Sequence, residues 1–330
     1  MLIKMKRDAT GEQISSVINR IGEFGLGIRM TVSDGHTIIS VTGSDDHFGT
    51  WTPRNMPGVE SYVLDDEHVL PEKQIIDVGT EKIGGNKLCM IAGPYVVESE
   101  ERIFATAREL HKCGIPIMRG GSYKPNTSPY AFKGLEADGL RMLRSAADQY
   151  GLLTVSEVVG LSELAEAEKY CDILQIGARN MQNYRLLQAV GRTDKPVLLK
   201  RGVAATVDEW LDCAEYIISE GNSRVILCER GIRTFETATK NTLDIAAIAA
   251  VREKSGLPVI VDPSRAAGHG RFVPPLALAA VAAGADGLMI DAHTNPAAAL
   301  SDCAQQLNFE QLGKLIDSAR YIALAMGKTL

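Results

Sequence analysis

Two patterns of apolar positions divide the chain. Over residues 1–70 the apolar side chains form a short run at 2–5, then recur at helical spacing as Ile14, Val17, Ile18, Ile21 and Phe24. Two further runs, 28–32 and 37–41, flank Ser33-Asp34-Gly35, and another covers 59–64. Spacings of three and four predict an amphipathic helix, and paired runs about a Ser-Asp-Gly turn predict a hairpin. The order β-α-β-β plus one more strand is that of a small ferredoxin-like α+β domain. The stretch 47–58, with two prolines, reads as a turn or short helix, and the charged stretch 65–73 as a linker. Runs at 75–78 and 81–83, set off by Gly79 and Gly84-Gly85, predict a second hairpin.

Beyond residue 87 the pattern changes. Short, mostly apolar runs that read as buried occur at 88–92, 115–118, 152–155, 173–176, 197–200, 225–228, 259–261 and 287–290, with starts 21 to 37 residues apart. Amphipathic stretches lie between them, at 100–113, 137–150, 161–170, 207–220 and 235–254. Strands alternating with helices pair in parallel through right-handed crossovers. Eight such units close a (β/α)₈ barrel, and a closed barrel explains why every strand reads as buried, whereas an open sheet would leave edges. The expected organisation is a ferredoxin-like domain over 1–70 and a (β/α)₈ TIM barrel over 71–330.

Composition narrows the class. Apolar residues make up 45% and charged residues 23% of the 330, an ordinary globular balance. No apolar run nears the ~18 residues of a membrane span, and the N-terminus lacks the apolar core of a signal peptide. With 35 Lys+Arg against 41 Asp+Glu the net charge is −6, and no basic tract suggests nucleic acid. The 6 cysteines are scattered without a CxxC, as in reduced cytoplasmic proteins.

Barrel chemistry gathers where the strands end. Arg119 and Lys124 follow the second run, Arg179 the fourth, Lys200 closes the fifth, and Arg230 follows the sixth. Five cations would thus converge on one mouth of an acidic protein. Each has a bland explanation, pairing with a local acid such as Glu157 or Glu229. Together they point to a small, multiply anionic substrate, since guanidinium forks and ammonium groups suit phosphate and carboxylate oxygens.

The residues at these ends are also recognisable as motifs. Gly93-Pro94 with Glu98-Ser99, Lys124-Pro125 with Thr127-Ser128-Pro129-Tyr130, and Gln175-Ile176-Gly177-Ala178-Arg179-Asn180 form one group. Leu227-Cys228-Glu229-Arg230-Gly231-Ile232-Arg233-Thr234-Phe235-Glu236-Thr237 and Val261-Asp262-Pro263-Ser264 complete it. The chain resembles type Iβ DAHP synthase (3-deoxy-D-arabino-heptulosonate 7-phosphate synthase) almost end to end, with the KDO 8-phosphate synthases as wider kin. The resemblance implies a (β/α)₈ barrel that condenses phosphoenolpyruvate (PEP) with erythrose 4-phosphate and releases phosphate, opening the shikimate pathway to the aromatic amino acids. It implies that Arg119, Lys124, Arg179, Lys200 and Arg230 grip the phosphate and carboxylate of PEP. It further implies a homotetramer and an N-terminal domain able to bind an effector, although Gly25–Gly35, with Met30, Thr31 and Ser33, lacks an obvious match to the effector-contacting residues.

Three departures stand out. The family holds a divalent metal with a Cys, a His, a Glu and an Asp, and those positions read Tyr95, Arg265, Asp291 and Asp302. A guanidinium has no lone pair to give, so Arg265 is no ligand, and no metal cofactor is expected. Two readings follow. Either Arg265, paired with Asp291 or Asp302 and assisted by Tyr95, lends its charge to the reacting carbonyl with Lys124, or these side chains fill a vacated metal hole. His269 and His293 offer a displaced metal site as a further alternative. Finally, the family's Lys-Pro-Arg-Thr reads Lys-Pro-Asn-Thr here. Asn126 in place of the Arg that binds the erythrose 4-phosphate would weaken that contact by about 1.5–3 kcal/mol, leaving Thr127 and Arg233 as acceptor-binding candidates. PEP contacts retained while metal and acceptor contacts change together suggest either a PEP-dependent condensation with erythrose 4-phosphate or another aldehyde or ketone, or a non-catalytic PEP binder that regulates a true synthase.

Overall fold

The computed structural model describes residues 1–33, 35–42, 51–63, 73–124, 130 and 132–330. They fall into two compact units, Met1–Pro71 and Glu72–Leu330.

In the first unit, strands β1 (Leu2–Met5), β2 (Gly27–Ser33), β3 (His36–Thr42) and β4 (Val59–Val63) form an antiparallel sheet in the order β2-β3-β1-β4, crossed by helix α1 (Gly11–Gly22). The helix starts where Thr10 and Gln13 satisfy each other's backbone N–H groups in a capping box. Its apolar stripe, with Val17 and Ile21, packs on Met1, Ile3, Met5, Ile39, Val41 and Val59 of the sheet. This is the ferredoxin-like arrangement that the pattern predicted. Between β3 and β4 a single 3₁₀ turn, Pro53–Asn55, is seen among the described residues.

The second unit opens with the hairpin β5 (Ile76–Val78) and β6 (Glu81–Ile83). Eight parallel strands follow: β7 (Cys89–Gly93), β8 (Ile117–Arg119), β9 (Leu153–Val158), β10 (Ile173–Ile176), β11 (Val197–Lys200), β12 (Val225–Glu229), β13 (Val259–Val261) and β14 (Gly287–Asp291). They pair in sequence order, and β14 returns to β7 to close the barrel. The intervening helices are α2 (Glu100–Lys112), α3 (Glu136–Tyr150), α4 (Leu164–Tyr170), α5 (Tyr184–Gly191), α6 (Val207–Ile218), α7 (Ala246–Lys254), α8 (Pro263–Ala267), α9 (Val273–Ala282) and α10 (Phe309–Ala325).

Strand alternation sets the interior. Ile91, Ile117, Val155, Ile173, Leu198, Ile226, Cys228, Ile260 and Met289 form a buried plug together with Ile76, Val78 and Ile83 of the hairpin. Two residues further along the strands, the same inward direction falls on Arg119, Glu157, Gln175, Lys200, Arg230, Asp262 and Asp291. The barrel is therefore apolar through its body and polar in one layer at its C-terminal mouth. β7 meets that layer through Gly93, at φ +145°, where a Cβ would lie 2.3 Å from the Arg119 carbonyl oxygen.

One expected element is much shorter than its pattern. The helix expected over 235–254 begins only at Ala246. Residues 232–245 instead loop over the mouth, bridged between Ile232 and Thr242 and docked on α8 by Lys240 N–H to Ala267 O and Asn241 N–H to Ala266 O. Thr234, Thr242 and Glu236 explain this locally. The Thr234 and Thr242 hydroxyls bond each other, and the Glu236 carboxylate takes the N–H groups of Thr237 and Ala238, which competes with helical pairing.

Candidate active site at the barrel mouth

A cavity of about 310 Å³ opens at the C-terminal end of the barrel, lined by Arg179, Lys200, Arg230, Arg233, Lys240 and Arg265 together with Tyr95, Glu157 and Gln175. Against it lies a second cavity of about 10 Å³, lined by Arg119, Lys124, Tyr123 and again Tyr95, Glu157 and Gln175. Thus all five cations expected to bind PEP line one or the other of these adjoining spaces, as does Arg233. Asn126 and Thr127 lie outside the described residues.

The acids that hold these cations are not the ones the local pairing suggested. Glu229 serves Arg201, accepting its Nη1 at 2.9 Å, and Asp244 accepts the same nitrogen at 2.8 Å. Glu157 accepts only the Gln175 amide, at 3.3 Å, among the described residues. The partners are Asp262, Asp291 and Asp302 instead. Lys200 donates to Asp262, and Arg119 Nη1 lies 2.5 Å from Asp291 and 3.7 Å from Asp262. Lys124 donates to Ser301 and lies 3.8 Å from Asp302. Arg230 is aimed by neutral acceptors, the Gly231 carbonyl at 3.1 Å and the Asn241 amide oxygen at 3.0 Å. Being fixed by dipoles rather than by a counter-charge, it keeps its full charge for an incoming anion.

Burial and charge compete at each acid. Burial alone would raise the Asp262 carboxyl, but Lys200 and Arg119 outweigh it and hold it below the usual range. At Asp291 burial prevails, aided by the neighbouring charge of Asp262, and the carboxyl titrates above its ordinary value despite Arg119. Burial also raises Glu157 against the pull of Lys200, Arg265, Arg119 and Arg179, and it lowers Lys124 more than Asp302 restores it.

Tyr95, Arg265 and Asp302 come together. Arg265 lies 4.4 Å from the Tyr95 ring centroid, and its Nη1 donates to Asp302 Oδ1 at 2.9 Å. Lys240 reaches the same carboxylate at 3.1 Å, and the Ser301 hydroxyl donates to it at 2.7 Å. Of the two partners open to Arg265, the structure selects Asp302. Asp291 is occupied by Arg119 and, at 2.6 Å, by the Gln305 amide. This donor set does not suit a divalent cation: one member is a cation, one a neutral phenol, and the two carboxylates are already hydrogen-bonded. The histidine alternative is not formed either. His293 has its Nδ1 taken by the Asn295 N–H at 3.0 Å and its Nε2 3.4 Å from Glu98. His269 is exposed, and no group of three His, Cys, Asp or Glu is disposed to hold a metal among the described residues.

Sequence reasoning singled out neither Asp262, Gln175, Gln305 nor Lys240 for the site. The signal for the first two was available in the alternation of β13 and β10, which turns both inward. Lys240 was hidden inside a stretch that reads as helix.

A closed (β/α)₈ barrel with a cation-lined C-terminal mouth defines an enzyme class that acts on small anions. Sequence comparison makes this specific. Residues 67–320 match the DAHP synthetase I family and residues 1–64 the DAHP synthase ferredoxin-like domain. The chain is 43% identical over 334 residues to a phospho-2-dehydro-3-deoxyheptonate aldolase of Thermotoga maritima, covering 99% of both. It is 33% identical over 275 residues to a 2-dehydro-3-deoxyphosphooctonate aldolase of Syntrophotalea carbinolica, covering 77% of this chain and 98% of the other. The crystal structure of the Thermotoga maritima DAHP synthase superposes with a TM-score of 0.80 at 42% identity, over 99% of this chain and 98% of that one. The chain belongs to the DAHP synthetase I family and is a transferase of the 3-deoxy-7-phosphoheptulonate synthase type.

Proposed function

We propose that this mouth binds PEP and joins its C3 to the carbonyl carbon of an aldehyde or ketone, with water adding at C2 and phosphate leaving, and that it does so without a bound divalent metal. Arg119, Lys124, Arg179, Lys200 and Arg230 are assigned to the phosphate and carboxylate of PEP. Arg233, with Asn126 and Thr127, is assigned to the acceptor, which is erythrose 4-phosphate or another small carbonyl compound. Arg265 is assigned to the acceptor's carbonyl oxygen: donors fixed in advance where negative charge develops stabilise that charge without reorganising.

The observation that carries the metal-free part is the seating of Arg265. Its guanidinium is stacked on Tyr95 and tied to Asp302, so a permanent cation stands among the positions where the family resemblance implies a metal. The test is phosphate release from PEP mixed with a panel of sugar phosphates, aldehydes and keto acids, with Arg230→Ala in parallel. The expected result is acceptor-dependent release by the wild type and loss of PEP binding in the variant. PEP-induced thermal stabilisation with no release from any acceptor would mark a non-catalytic binder instead.

A further inference from the structure

Behind the mouth lies a buried cluster that the condensation does not use. The register that pairs Lys200 of β11 with Cys228 of β12 sets Arg201 beside Glu229, on the side of the strands opposite to Lys200 and Arg230. Arg201 is buried, with its guanidinium 5.9 Å from the ring centroid of Trp210 on α6, and it lines neither of the two cavities. Its Nη1 donates to two carboxylates at once, Glu229 at 2.9 Å and Asp244 at 2.8 Å, and its Nε donates to the Ala205 carbonyl at 3.0 Å. Each acid uses its second oxygen on the backbone nearby. Glu229 Oε1 accepts the Gly231 N–H at 2.6 Å, and Asp244 Oδ1 accepts the Ala247 N–H at 3.1 Å, at the start of α7.

These contacts stand at the two feet of the loop over the mouth. Glu229 and Gly231 precede it, Asp244 ends it, and the backbone pair Ile232–Thr242 closes it between them. The loop in turn carries what aims two cations of the mouth. Arg230 is directed by the Gly231 carbonyl and the Asn241 amide oxygen. The Arg233 N–H is held at 2.7 Å by the Val203 carbonyl, in the turn that Arg201 Nε secures through Ala205. The fit leaves no slack: Gly231 has φ +90°, and a Cβ there would lie 2.7 Å from the Asn241 Cβ and 3.0 Å from the Ala266 Cβ. A small shift of either foot would turn the Asn241 acceptor away from Arg230.

We propose that Arg201 is a positioning residue for substrate binding: by tying Glu229 and Asp244 to one guanidinium nitrogen it fixes both feet of the loop, and so the aim of Arg230 and Arg233 into the mouth. This rests on the assignment above of Arg230 to PEP and Arg233 to the acceptor. A guanidinium suits the task, because its planar fork serves two carboxylates and a carbonyl together, which a single ammonium nitrogen cannot do at three separate sites. Arg201 itself touches no substrate. Its removal would leave Glu229 buried without its cation, a costly state that could unfold the barrel. The test therefore falls on Asp244, which is 23% exposed.

Asp244→Ser keeps an oxygen able to cap α7 but withdraws the carboxylate from Arg201, whose pair with Glu229 stays. PEP affinity is read by calorimetry, acceptor KM and kcat by phosphate release, and the fold by circular dichroism. Asp244→Ser should raise both the PEP Kd and the acceptor KM about threefold or more while kcat at saturation stays within about twofold, the mark of lost binding with the chemistry kept. Asn241→Ala should raise the PEP Kd as well. The double variant should bind PEP no more weakly than Asn241→Ala alone, since both changes act through the aim of Arg230. A smaller rise in folded Asp244→Ser, a loss confined to kcat, or single effects that multiply in the double variant would overturn the role of Arg201 alone. A wild type that does not bind PEP would overturn the assignment of the mouth itself.

Discussion

Replacing Arg265 by Met removes the charge from the centre of the mouth while keeping most of the side chain's length. The hydrogen bond lost is the 2.9 Å contact to Asp302, between side chains that are 15% and 16% exposed. Hydrogen bonds to charged partners contribute about 1.5–3 kcal/mol, and the partly shielded stacking on Tyr95 adds about 1 kcal/mol. Two effects offset this. Lys240 and Ser301 remain on Asp302, so no bare carboxylate is left. Repulsion also eases, because Arg265 disfavours the charged forms of Arg230 and Lys124 after burial has already done so. The net loss should be about 2 kcal/mol, or roughly 4–8 °C in the melting of a barrel-sized unit.

The sign of the pH dependence follows from Asp302. Burial would raise its carboxyl, but Arg265, Ser301 and Lys240 hold it well below the ordinary range. A carboxyl lowered on folding contributes stability that is complete above its unfolded value, about 4, and fades as pH falls through the folded one. The advantage of wild type over Arg265→Met should therefore be constant between about pH 6 and 8 and shrink below about pH 4. Urea denaturation followed by the fluorescence of buried Trp210 reads it directly. A difference at pH 7 under about 0.5 kcal/mol, or one that does not shrink on acidification, would refute the argument.

Two further substitutions probe the departures from the family pattern. Asn126→Arg restores a bidentate anion contact and should raise kcat/KM for erythrose 4-phosphate by about tenfold or more, in steady-state assays at fixed PEP; an unchanged value would remove residue 126 from the acceptor site. The triple change Tyr95→Cys, Arg265→His and Asp291→Glu supplies thiolate, imidazole and carboxylate donors around Asp302. It should bind about one manganese or zinc ion per chain in equilibrium dialysis, and failure to bind would mean that these four positions do not converge as argued.

The barrel was legible because a buried parallel strand has no polar face. Its run is nearly continuous, as in 173–176 and 197–200, where the one polar residue of each, Gln175 and Lys200, faces the mouth, and the observed β10 and β11 coincide with those runs. The N-terminal sheet was legible for the complementary reason, a helical stripe beside paired strands about a turn. What periodicity could not deliver was the stretch 235–245, where Thr234 and Glu236 turn side-chain oxygens onto the backbone N–H groups of Glu236, Thr237 and Ala238. The cations of the mouth could be listed from the strand ends, but not their partners. Asp262, Asp291 and Asp302 come from β13, β14 and the segment beyond, and only closure of the barrel brings them to Lys200, Arg119 and Arg265. Residues adjacent in sequence, such as Glu229 and Arg230, turn to different tasks because successive side chains leave a strand on opposite faces.

The most direct measurement of the account is phosphate release from PEP and its best acceptor by protein dialysed exhaustively against a strong chelator, then titrated with Mn²⁺. If Arg265 supplies the positive charge of the mouth, the stripped protein should turn over at the untreated rate and the titration should be flat. Complete loss on stripping, with recovery at one equivalent of metal, would contradict it.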